Sequence, residues 1–180
     1  MNQHRPARIR GVTGFELLLC LGIVMLVLLL ASPQLGPIIA QHQIRAAAAH
    51  LKGDLAHARS IAIGRITRTT VCAGNPREGC NDAPWHSGWI SFFDADGDRQ
   101  RSENEELLRT HEGIGHLSII GSRHRTRLSF FPSGTAPGRN ARFTFCAPAQ
   151  AAAAHQFRLS VSGRIRTSSN SEFDHDVCRA

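Results

Sequence analysis

A long apolar run broken by a single carboxylate constrains this chain more than any other feature. From Val12 to Ala31 the sequence reads VTGFELLLCLGIVMLVLLLA, and Glu16 is its only charged residue. At ~1.5 Å rise per residue, a helix of this length just spans the ~30 Å hydrocarbon core of a bilayer. The preceding residues hold Arg5, Arg8 and Arg10 with no acid, a flank expected to stay on the cytoplasmic side. A cleaved secretory signal and a plain single-pass anchor share this layout. Neither accounts for Glu16, because an ionisable group in an apolar segment is expensive and suggests a job.

Helical character continues beyond the run. After Pro33, Gly36 and Pro37, the residues Ile44, Ala48, Leu51, Leu55, Ala58 and Ala62 recur every three or four positions, so the prolines are expected to bend the helix rather than end it. A straight helix from Val12 to about Arg65 would be ~80 Å long, its apolar stripe packing against a globular domain. Past Gly64 the texture changes to short β-like runs separated by turns: residues 69–73, 89–93, 117–120, 127–131, 141–146, 157–162 and 165–168. The expected fold class is α+β: a long N-terminal transmembrane and amphipathic helix packed on an antiparallel β-sheet domain.

Five cysteines divide into two groups. Cys20 lies in the apolar run and behaves as a small hydrophobe. Cys72, Cys80, Cys146 and Cys178 fall in the polar part at spacings of 8, 66 and 32 residues, with no C-x-x-C pair. Two disulfides in an oxidising compartment are preferred over a zinc site. Of the three connectivities, Cys72–Cys80 with Cys146–Cys178 is favoured.

Charge is uneven. Residues 94–112 carry seven acids and three Arg, whereas residues 123–180 carry nine Arg and three acids. A basic C-terminal half points to an anionic partner or to a solvated basic face. The DADGD segment (Asp94 to Asp98) invites a calcium reading, but an EF-hand needs glycine at its sixth position and Gly97 is fourth; a hairpin turn is preferred. The ten His are scattered. No nucleophile set, phosphate loop or carboxylate pair emerges, so no enzyme and no cofactor is expected.

The segment RGVTGFELLLCLGIVMLVLLLASP resembles the type IV pilin signal. With Gly11 as the last leader residue, Val12 is +1, Glu16 is +5 and Pro33 is +22, in register with that family's cleavage site, conserved carboxylate and kinking proline. Cleavage after Gly14 would put Leu19 at +5 and is rejected. Val12 departs from the usual Phe or Met. The resemblance implies a leader of residues 1–11 removed by prepilin peptidase, N-methylation of Val12, a transmembrane segment over residues 12–36 and a periplasmic domain over residues 37–180. It also implies that Glu16 neutralises the terminal amine of a neighbouring subunit, since a charge among apolar helices is tolerable only when paired.

Three later segments, LKGDLAHARSIAIGR, GWISFFDADGDR and FRLSVSGRIRTSS, resemble the FimT/GspH branch. That branch implies an inner-membrane subunit partnered by other pilins or pseudopilins in a filament. One arm consists of minor pseudopilins (protein H type) of type II secretion, acting in export. The other consists of minor pilins, some of which bind double-stranded DNA for uptake in natural transformation. A GRxR motif in the second arm is similar to Gly163-Arg164-Ile165-Arg166. In an extended segment Arg164 and Arg166 project to one side, ~7 Å apart, with Ile165 turned inward. Gly163 would let the backbone approach a phosphate, and Arg158 with Arg123, Arg125 and Arg127 would extend the patch. The competing reading is a charged strand edge that prevents edge pairing.

Overall fold

The computed structural model describes residues 11–31, 35–122, 125–138, 140–147, 154–168 and 178. The chain divides into two compact units at Ile38. In the first, helix α1 (Gly14–Ala31) carries Glu16 in its first turn. Thr13 caps it, its hydroxyl accepting the Glu16 amide at 3.3 Å. The described side chains of α1 are exposed all round, Phe15 and Leu18 each by 70% or more. Among the described residues, no helix is long and apolar enough to cross a membrane. Pro33 lies outside the described residues.

Helix α2 (Leu35–Gly64) begins at the end of the first unit and runs through the second. Pro37 sits in its first turn, where the missing N–H costs little. Ile44, Ala47, Ala48, Leu51, Leu55, Ala58 and Ala62 form its buried face, each of the larger ones contributing roughly 1.5–3 kcal/mol. The helix closes with the Thr67 amide donating to the Ala62 carbonyl and Ile66 in the left-handed region at φ 49°, a Schellman-type ending.

Among the described residues nine strands follow: β1 (Thr69–Asn75), β2 (Gly79–Cys80), β3 (Gly88–Phe93), β4 (Leu107–Glu112), β5 (Ser118–Gly121), β6 (Arg127–Phe130), β7 (Ala141–Cys146), β8 (Ala154–Leu159) and β9 (Ile165–Thr167). The first sheet has the order β2–β1–β3–β4, with β6 also paired to β1; the second has the order β5–β7–β8–β9. Every pairing is antiparallel. Trp85, Trp89, Phe130, Phe143, Phe145 and Phe157 fill one core with the apolar face of α2. A smaller cluster of Cys72, Cys80, Ile90 and Phe92 is backed by Leu107.

Buried Asp54 fastens α2 to the first sheet. Its carboxylate accepts from Trp89 Nε1 at 2.8 Å and from Arg109 at 3.1 Å. The α+β class holds, with three corrections to the strand reading. Strand β4 was not expected, because its LLRTHE sequence lies half or fully exposed and shows no clean alternation. Two-residue β2 is too short to leave a pattern. Strand β8 starts earlier than expected, at Ala154, and stops at Leu159, because Ser160 to Arg164 turn back into β9.

Candidate nucleic-acid interface

The β8–β9 hairpin closes over Ser160 to Arg164. The Ser160 amide donates to the Arg164 carbonyl at 2.9 Å, and the Gly163 amide to the Ser160 carbonyl at 2.8 Å. This turn requires Gly163 at φ +74°, a region that L side chains disfavour. Gly163 is buried, and a Cβ there would run into the Gly134 carbonyl oxygen and the Arg59 side chain. Arg59 also donates to the Gly134 carbonyl at 2.7 Å, tying α2 to the neighbouring loop. The expectation that Gly163 opens the backbone to a phosphate is therefore corrected: its surface is spent on the helix, and it acts by setting the turn.

Beyond the turn, Ile165 packs on the core while Arg164 and Arg166 are exposed. Thr167 accepts a hydrogen bond from Lys52 of α2 at 3.1 Å. Strand alternation thus turns Ile165 and Thr167 toward the helix and Arg166 away from it. Arg158 stands directly opposite Arg166 across the β8–β9 ladder. Arg158, Arg164 and Arg166 line one depression of about 590 Å³ together with Asn140, Ser160 and Ser162. Among the described residues no carboxylate pairs with Arg164 or Arg166; the ion pairs there are Arg109–Asp54 and Arg127–Asp82.

The second group of arginines lines an adjoining depression that shares Leu159 and Ser160 with the first. Arg123 lies outside the described residues. Arg125 and Arg127 line a depression of about 660 Å³ with Arg99, but Arg127 is committed to Asp82 at 2.8 Å. The Thr126 hydroxyl, then Arg127, hold the Asp82 carboxyl below its usual range. Arg127 is therefore not a free extension of the patch.

Other expected positions are placed as follows. Gly11 and Val12 precede α1 in non-helical backbone, both exposed, and Glu16 is exposed. Thr13-Gly-Phe-Glu16 also has the sequence form of a capping box, a helix-start signal missed in the sequence, of which the structure shows the Thr13 half. Disulfides join Cys72–Cys80 and Cys146–Cys178, and Cys20 is a free, exposed thiol. One carboxylate oxygen from each of Asp94, Asp96 and Asp98 lies within 4.8 Å of the others. These three are the described residues that could hold a cation, yet buried Asp94 already accepts from the Thr70 hydroxyl at 2.6 Å. The segment joins β3 to β4 as a long hairpin connection. Arg142, not singled out in the sequence, stands directly opposite Arg158 on β7.

The family described as "Type II transport protein GspH" matches residues 47–163. Among solved structures, the chain is similar to the type IV minor pilin FimU of Pseudomonas aeruginosa. In one crystal form the identity is 21%, covering 71% of this chain and 94% of that one, with a TM-score of 0.54. A second form gives 20% identity, 73% and 92% coverage, and a TM-score of 0.55. The minor pseudopilin EpsH from the Type 2 Secretion System of Vibrio cholerae is 13% identical, over 71% of this chain and 98% of that one, with a TM-score of 0.51. No curated protein matches the sequence. These relatives, minor pilins and a minor pseudopilin by name, share the fold described above. The chain belongs to the GspH family, as a minor pilin or pseudopilin of the GspH/FimT kind.

Proposed function

We propose that this chain is a membrane-anchored minor pilin whose second sheet binds double-stranded DNA for uptake in natural transformation. The observation that carries the DNA reading is the exposed pair Arg164 and Arg166, which line one depression with Arg158 and have no carboxylate partner among the described residues. Guanidinium groups so placed meet phosphate oxygens in a planar fork. The family match ends at Gly163, so the Arg pair rests on its own geometry. Contacts to phosphate carry no sequence information, so random duplexes bind alike.

The anchor reading rests on α1, whose described apolar side chains, as far as Leu28, are all exposed, an arrangement costly in water and suited to lipid. Prepilin peptidase cuts between Gly11 and Val12, Val12 becomes N-methylated, and the β-rich unit projects into the periplasm, where two disulfides are stable. Glu16 then meets the terminal amine of a neighbouring pilin as the filament grows.

Fluorescence anisotropy with the full chain in neutral detergent and random-sequence duplexes tests the DNA reading. Arg164→Ala/Arg166→Ala should flatten the slope of log K against log salt by about 1.8, two phosphate contacts at ~0.9 each. An unchanged slope, or a parent that does not bind, overturns it. The second reading, a pseudopilin of type II secretion acting in export, is favoured by the family's description and by the likeness to EpsH, and it then takes over.

A further inference from the structure

The pairing registers place three arginines in one line. Arg142 on β7 is the direct partner of Arg158 on β8, and Arg158 is the direct partner of Arg166 on β9. Residues directly opposite in antiparallel strands share a sheet face, so the three side chains form a row across the second sheet. Their neighbours confirm which face this is. Ala141, Phe143, Phe157 and Leu159, one position away along β7 and β8, are buried in the core shared with α2, while Arg142 and Arg158 are half-buried and Arg166 is exposed.

We infer that Arg142 belongs to the phosphate-binding surface and that a DNA strand crosses the β-strands along the row Arg142–Arg158–Arg166. The inference rests on the DNA reading above and adds both a residue and a direction to it. Adjacent strands lie ~4.8 Å apart, so the row is roughly 10 Å long. Consecutive phosphates on one DNA strand lie roughly 7 Å apart, so a row of this length faces about two of them. Among the described residues no carboxylate pairs with Arg142 or Arg166, the two ends of the row. Arg164 then flanks the row at the hairpin.

The test is a salt titration of duplex binding by the full chain in neutral detergent. Arg142→Gln keeps much of the half-buried stem and removes the charge; Arg142→Lys keeps the charge. Arg77→Ala, in the exposed turn between β1 and β2 of the first sheet, removes one charge away from the row. Loss of one phosphate contact flattens the salt slope by about 0.9 and weakens binding roughly eight-fold at 0.1 M salt. Arg142→Gln should show that loss, while Arg142→Lys and Arg77→Ala should keep the parent slope. Parent-like binding by Arg142→Gln, or an equal loss in Arg77→Ala, overturns the row while leaving the Arg164/Arg166 reading in place. A parent that binds no DNA overturns both.

Discussion

Replacing Gly163 by alanine separates the two halves of the GRxR segment. The glycine sits at φ +74°, where an L residue costs roughly 1–2 kcal/mol. Its new Cβ would also overlap the Gly134 carbonyl oxygen and the Arg59 side chain, and forcing extra atoms into a packed site costs a further ~1–3 kcal/mol. A loss of about 3 kcal/mol corresponds to a drop in Tm of roughly 6–12 °C for a chain of this size. The matched control is Gly53→Ala in α2, where an added Cβ meets nothing within 4 Å; there the change should stabilise by about 0.8 kcal/mol, or roughly 2–3 °C. Trp85 and Trp89 are both buried, so tryptophan emission during heating of the detergent-solubilised chain reports unfolding of the sheets. Arg164→Ala/Arg166→Ala, by contrast, should leave Tm within a degree or two. A Gly163→Ala chain as stable as its parent would refute the assignment of this glycine to the turn.

Three further outcomes are expected. Cys146 and Cys178 are 32 residues apart, so Cys146→Ser/Cys178→Ser should cost about 3.7 kcal/mol on the chain-entropy estimate, read as a lower Tm; no change would mean the bridge contributes nothing. Burial, with Lys52 and Arg45 nearby, holds the His155 pKa below its ordinary 6.5, and burial and Arg109 do the same for His57 against the opposing pull of Asp54. The unfolded chain therefore binds more protons just below that value, so stability should fall between about pH 7 and pH 5, and less steeply in His155→Gln; an equal slope in the variant would contradict this. Mass spectrometry of membrane-extracted protein should find Val12, N-methylated, as the first residue, whereas a terminus near Ser32 would identify an ordinary cleaved signal.

What the sequence disclosed and what it hid follow from how locally each feature is determined. The buried stripe of α2 announces itself through its own spacing, and β1, β3 and β7 through compact apolar or alternating runs. Strand β4 is an edge strand whose exposed Arg109 and Thr110 dilute the pattern, so only its pairing with β3 defines it. Arg164 and Arg166 were visible because two residues of one extended segment share a side by geometry alone. Arg142 was not, because its place beside Arg158 depends on the register between two strands separated by a long connection, and register is a tertiary property. Gly163 was read as an opening toward phosphate; its left-handed φ belongs to the local Ser160–Arg164 turn, whereas its contacts with Arg59 and Gly134 depend on distant parts of the chain.

Arginine footprinting tests the central claim most directly. The full chain in neutral detergent is treated with phenylglyoxal, with and without duplex DNA, and modification is mapped by mass spectrometry. The account predicts that DNA protects Arg142, Arg164 and Arg166 on the second sheet and leaves Arg77 on the first sheet as reactive as before. Protection spread evenly over both sheets, or unchanged reactivity at Arg164 and Arg166, would contradict it.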